Sequence, residues 1–220
     1  MVLDDGREMT AGSVRSSAGY VETMNLCAGQ ERVVTPEEPG NVTFVEGQMI
    51  IEEQPADLGH TETIIFYCDS ERFHYESPQE PCDLRSGIIC CPNNFQYDEP
   101  LPEGIIRLTA LANADYWMSL PEDEYAAQKT AWFDRMVAAA TRYIPDYRGK
   151  VIDTDVFTPK TIKHFTGHVN GCVYGSPVKR LDGTTHLKNL YLCGTDQGYL
   201  GIVGSMFSGV TIANLHLLER

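Results

Sequence analysis

Five glycines and one aspartate crowd residues 189–218, NLYLCGTDQGYLGIVGSMFSGVTIANLHLL, and they are the residues of this chain best suited to hold a ligand. An apolar run at 190–193 drops into a turn holding Gly194, Asp196, Gly198, Gly201 and Gly204, after which a helical apolar pattern begins. A strand that feeds a helix through such a turn gathers backbone amides at the positive end of the helix dipole, where anionic or electron-rich atoms are favoured. Gly201 and Gly204 let the backbone approach a ligand where a Cβ would obstruct it. Asp196 would be a poor partner for phosphate; its carboxylate suits hydroxyl donors, such as those of a ribityl or ribose chain. The competing reading is a glycine-dense turn that only lets the helix pack closely on its strand, since the spacing is not GxGxxG. That fingerprint is absent, as are a P-loop, a GxSxG elbow and an HExxH pair.

The surrounding composition narrows the chemistry. With 17 Lys and Arg against 31 Asp and Glu, the net charge of −14 repels polyphosphate backbones and anionic lipid headgroups, so no nucleic-acid partner and at most a peripheral membrane contact are expected. The seven cysteines include no CxxC pair and no His-spaced ligand set, which argues against a disulfide framework or a metal site and for a reducing, cytoplasmic location. The N-terminus has no basic region followed by an apolar core, and no apolar run approaches the roughly 18 to 20 residues of a spanning helix.

Several elements must position the glycine turn. Asp5-Gly6 predicts a tight hairpin turn, with a strand at residues 14–17 leading onward. Residues 20–27 have helical character that stops at Gly29, and a loop rich in Pro and Glu follows. The segments NVTFVEGQMIIEEQ, TETIIFYCD, SGIICCPN and GIIRLTALAN read as strands of one sheet. Residues 121–143 form the clearest helix: Pro121 and acids at its start suit the dipole, and Tyr125, Trp132, Phe133, Met136, Val137 and Ala140 make an apolar stripe that packs on the sheet. Cys90 and Cys91, in a strand-like segment, read as packed small hydrophobes.

Three blocks of the chain together resemble the phytoene desaturase-like flavoproteins of the amine oxidase superfamily, the retinol saturase and carotenoid isomerase branch above all. LYLCGTDQGYLGIVGSMFSG is similar to the family's closing strand, acidic turn and helix, with Thr195 where the saturases have Gln. DVFTPKTIKHFTGHVNGCVYGSP matches a second block through Thr158, Pro159, Thr161, Gly167, Gly171, Tyr174 and Gly175. LDDGREMTAGSVRSSAG is like the strand pair ending in VVSNAG, with Ser17 in place of the usual Asn.

The resemblance implies an α+β fold with three parts: residues 1–18 as a strand pair of an FAD-binding domain, 19–150 as a β-sheet substrate domain with covering helices, and 151–220 as the C-terminal part of the Rossmann-like FAD-binding domain. It further implies that the N-terminal βαβ unit carrying the dinucleotide glycines is missing, so that the chain is a fragment or one half of a split pair whose partner is a separate FAD-binding half. Asp196, in the turn opened by Gly194, would hydrogen-bond the ribityl or pyrophosphate region. The amides of Gly204, Ser205 and Met206 would face the flavin O2 and N1 edge, and Gly171, Tyr174 and Gly175 would lie beside the isoalloxazine, with Tyr174 the implied catalytic residue. The reaction would be desaturation, saturation or isomerisation of a carbon–carbon double bond in a polyene or related lipid, by hydride transfer through FAD. His164, His168 and His186 are candidate proton donors for a saturation. Two rivals remain: an amine oxidase-like flavoenzyme, and a non-catalytic module that binds a lipid or a partner.

Overall fold

The structure is a computed structural model that describes residues 1–29 and 34–218. In chain order its regular elements are β1 (Val14–Ser16), α1 (Tyr20–Leu26), β2 (Thr43–Ile51), β3 (Ile64–Cys68), β4 (Ser86–Cys90), β5 (Gly104–Ala112), α2 (Ala114–Ser119), α3 (Glu122–Ala140), β6 (Val151–Phe157), α4 (Pro159–Thr166), β7 (Leu190–Leu192) and α5 (Gly201–Ala213). They form two compact units. One comprises Met1–Gly40, Gly167–Val169 and Val173–Arg220, and the other Asn41–Thr166 and Asn170–Cys172.

The second unit is built on an antiparallel sheet in the order β3-β4-β5-β2-β6. β5 alternates strictly, with Ile106, Leu108, Ala110 and Ala112 buried and the intervening side chains half-buried, as expected where one sheet face meets a core. The four expected strands are present and share this sheet. α3 covers it with Trp132, Phe133, Met136, Val137 and Ala140, the anticipated stripe. At Gly47 in β2 a Cβ would stand 1.9 Å from the Phe133 ring, so the missing side chain is what lets α3 lie this close to the sheet. Trp117 of α2 is fully buried and donates its indole N–H to the Pro81 carbonyl at 2.9 Å, which satisfies its one polar atom. Cys91 is buried beside the sheet, and burial pushes its thiol up to about 11.

The first unit holds β1 and β7 as a parallel pair, with Val14 opposite Leu190 and Ser16 opposite Leu192. α1 packs Tyr20, Val21 and Met24 on Leu192. Near the N-terminus, Gly6 at φ 81° turns the chain so that Val2 bridges Glu8, a minimal form of the expected hairpin. α1 ends before Gly29 as anticipated; the start of the loop expected after it, residues 30–33, lies outside the described residues.

The units part at two boundaries, after Gly40 and after Thr166. At the first, α1 buries its apolar side against β7. At the second, β6 pairs with β2 and is followed by α4, neither anticipated. β6 is an edge strand exposed over four successive residues, so its sequence, VIDTDVF, carries little of the apolar signal by which a buried strand is read. At the C-terminus, Gly201–Leu218 is long and apolar enough to cross a membrane by length and composition alone. Counting unbroken apolar runs missed it because Gly, Ser, Thr and Asn interrupt the segment without adding charge.

Candidate functional site

Within the first unit, the two parallel strands end in glycine turns that face one another through Asp196. β1 runs through Ser17 and Ala18 to Gly19 (φ 98°) and into α1; β7 runs into Gly194 (φ 95°). Asp196 is 1% exposed. One carboxylate oxygen accepts the Tyr20 amide at 2.5 Å and the other the Ser176 amide at 2.8 Å, while its carbonyl accepts the Arg180 amide at 2.8 Å. Asp196 therefore ties together three segments, 19–20, 175–180 and 194–197. Gly175 belongs to the same knot, since a Cβ there would stand 1.8 Å from the Asp196 carboxylate and its φ is 65°. Any ligand hydroxyl reaching Asp196 would meet a carboxylate already accepting two backbone donors.

A second buried chain of hydrogen bonds fastens this turn to α5. The Gly194 amide donates to the Ser208 hydroxyl at 2.6 Å, Ser208 donates to Gln197 at 2.5 Å, and Gln197 donates to the Leu181 carbonyl at 2.7 Å. Ser208 and Gln197 are fully buried. The start of α5 is thereby held in place relative to β7, and Gly201 there has open space where a Cβ would be. Of the residues expected to aim amides at a ligand, Gly204 has the Tyr199 backbone 3.0 Å from its would-be Cβ, while Ser205 and Met206 follow the opening turn, so their amides fall within the helix's own ladder. The amides left for a ligand begin at Gly201. Tyr174 is 48% exposed. Gly171 lies in the other unit, where its φ of 59° and a would-be Cβ 2.2 Å from the Pro159 carbonyl account for the glycine by close packing on α4.

Two ion pairs beside the knot have no signature in the local sequence. Arg180 pairs with buried Glu38 and lies over the Tyr20 ring at 3.3 Å. Glu22 accepts the Val169 amide at 2.8 Å and pairs with His168 Nδ1 at 3.2 Å. Of the three candidate histidines, His168 stands in a half-buried acid pair. No local signal could have found it, because its partner lies 146 residues away.

That pair gives a pH signature. Burial acts to raise the Glu22 carboxyl, but hydrogen bonds from His168 and the Val169 amide outweigh it and hold it below its usual 4.5. The hydrogen bond to Glu22 raises His168 above its usual 6.5 against the opposing effect of burial. A raised histidine contributes stability below 6.5 that is lost as pH climbs through its folded value; a lowered carboxyl contributes stability above 4.5 that is lost as pH falls through its folded value. The pair therefore helps most between 4.5 and 6.5. Chemical unfolding of the wild type and His168→Gln across pH 4 to 8 is expected to show an advantage of about 1 kcal/mol in that window, shrinking on both sides. A difference independent of pH would exclude the ion pair as its source.

No family model matches the chain. In sequence it is 25% identical over 189 residues to a 4,4'-diaponeurosporene oxygenase of Staphylococcus haemolyticus, a match that covers 79% of this chain and 35% of the relative. In structure it resembles an oxidoreductase from Methanosarcina mazei, with a TM-score of 0.52 and 13% identity over the whole of this chain and 47% of that one. Both likenesses are to oxidoreductases, and the chain spans about a third of the length of the first and about half that of the second. The structural likeness concerns a mixed α/β fold.

Proposed function

We propose that this chain is the C-terminal portion of a flavin-dependent oxidoreductase that acts on carbon–carbon double bonds of a polyene or related lipid. The observation that carries the reading is the β7 turn: a parallel strand opens through Gly194 and the Asp196 knot into α5, leaving the helix's first amides free beside Gly201. The similarity to a diaponeurosporene oxygenase supports the substrate class.

The residues fit one end of FAD. Free amides and the positive end of α5 suit the electron-rich O2 and N1 edge of the ring, and open space at Gly201 gives a flat ring room. The sequence holds no GxGxxG turn for the pyrophosphate, so the adenine end needs a further dinucleotide-binding unit. When bound, the flavin supplies hydride transfer at N5. The chain's own part is positional. The Asp196 and Ser208 bonds fix the turn, the α5 amides favour negative charge on the ring edge, and Tyr174 offers an exposed aromatic wall. His168, raised above its usual 6.5 by its hydrogen bond to Glu22, is a candidate proton donor of this unit.

The test is FAD binding followed by flavin absorbance. The purified chain alone is expected to bind FAD more weakly than about 10 μM, because half the cofactor's contacts are lacking. Co-expression with the polypeptide encoded immediately upstream is expected to yield yellow protein that changes the absorption spectrum of an added C30 or C40 polyene. Colourless protein in both cases would favour the non-catalytic binding module; yellow protein that oxidises amines and leaves polyenes untouched would favour the amine oxidase-like rival.

A further inference from the structure

His60 plays no part in the site described above, yet it is buried like a core residue. It is 3% exposed, and neither ring nitrogen has a hydrogen-bond partner among the described residues. Tyr147, fully buried beside it, has an unpartnered hydroxyl as well, and the two rings meet edge to face with centroids 5.9 Å apart. Buried polar groups are nearly always hydrogen-bonded, and each exception holds free energy that is released when the group reaches water. Here the exceptions meet at a corner of the antiparallel-sheet unit. His60 lies in the connection from β2 to β3, residues 52–63, which turns through a short 3-10 helix (Pro55–Leu58) and Gly59 at φ 88°. Tyr147 belongs to the connection from α3 to β6. The fastenings of the corner include the His60 amide on the Pro55 carbonyl at 2.9 Å, Asn94 Nδ2 on the His60 carbonyl at 2.5 Å and the Cys91 amide on the Thr63 carbonyl at 2.8 Å.

We propose that residues 52–63 form an acid-operated latch, shut while the His60 ring is neutral and opened when the ring takes up a proton. An imidazolium would bring a charge and two N–H donors into a space where neither ring nitrogen meets an acceptor, whereas water solvates both. The groups around the ring supply no counter-charge. On its own connection Asp57 and Glu62 are exposed, and Glu53 is paired with Lys150. From the other side, Asp146 is paired with Arg148 in solvent. The Cys91 thiol and the Tyr67 phenol near Tyr147 are pushed up by burial to about 11 and about 12, so both stay neutral. Asn93 and Asn94, in the turn after β4, carry no charge. Burial alone acts on the His60 ring and holds it below its usual 6.5. The unfolded chain therefore takes up this proton first, so the latch is fully stabilising above 6.5 and weakens as pH falls from there toward the folded value. The His168–Glu22 pair has the opposite sense, so mild acid loosens this corner while it steadies the β1–β7 unit.

The experiment follows amide hydrogen exchange of the full chain from about pH 7.5 to about pH 5, with each rate corrected for the intrinsic pH dependence of exchange. At the His60 and Cys91 amides, opening should become at least about tenfold more frequent in acid, the factor set by one unit of lowered basicity. The amides of Met49 and Leu108, in the central strands β2 and β5, should change less. His60→Phe should abolish the rise at Cys91. Tyr147→Phe, which removes an unpartnered hydroxyl and leaves the imidazole in place, should keep it. A second readout needs no variant: the carbon-13 shifts of the His60 ring in the wild type should remain those of a neutral imidazole down to the pH at which exchange accelerates. The proposal is overturned if exchange at Cys91 keeps its corrected rate across the range, if the rise survives in His60→Phe, or if the ring is protonated while the corner stays shut.

Discussion

Asp196→Ala is expected to destabilise the β1–β7 unit by about 3–6 kcal/mol, from two hydrogen bonds to a buried charged acceptor at about 1.5–3 kcal/mol each. The Tyr20 and Ser176 amides would lose their acceptor at a position where the native residue is 1% exposed. Since a whole domain is usually stable by about 5–15 kcal/mol, a loss of this size removes most of the margin of so small a unit. Asp196→Asn keeps one acceptor oxygen but sets an NH2 group against the other amide, so it should recover about half the loss. The readout is amide hydrogen exchange at Tyr20 and Ser176, which reports this unit without averaging over the other. If Asp196 served only to contact a ligand, both variants would exchange as the wild type does and would lose flavin affinity alone.

What was legible in the sequence follows the range of the interaction that fixes each feature. β5, α3 and the β7-to-α5 turn are set by local alternation, helical spacing and glycine placement, and these could be read directly. The occupancy of Asp196 could not. Its donors are Tyr20, 176 residues away, and Ser176, and which amides meet a carboxylate is decided by the parallel pairing of β1 with β7. The same holds for Glu22 with His168 and for Arg180 with Glu38. β6 was hidden because an edge strand need not be apolar.

Gly47→Ala is the second substitution with a large expected effect, and it acts through packing alone. The glycine lies mid-strand in β2 without a left-handed backbone angle, so alanine brings no backbone strain. Its Cβ would nevertheless stand 1.9 Å from one Phe133 ring carbon and 2.6 Å from two others. The ring is 7% exposed and enclosed with Met136 and Val137, so it can yield only by moving α3 outward or leaving its rotamer, a cost of about 1–3 kcal/mol. Phe133→Ala alone should cost about 3–5 kcal/mol by emptying the same space. Combined, the two changes relieve each other, because the new methyl fills part of the vacated volume. The double variant should therefore be more stable than the sum of the singles by at least about 0.5 kcal/mol. Both tryptophans, Trp117 and Trp132, belong to this unit, so denaturant unfolding followed by their fluorescence measures its stability separately from the β1–β7 unit. Strict additivity would mean that Gly47 and Phe133 do not press on each other, and that α3 is held at its distance from the sheet by other residues.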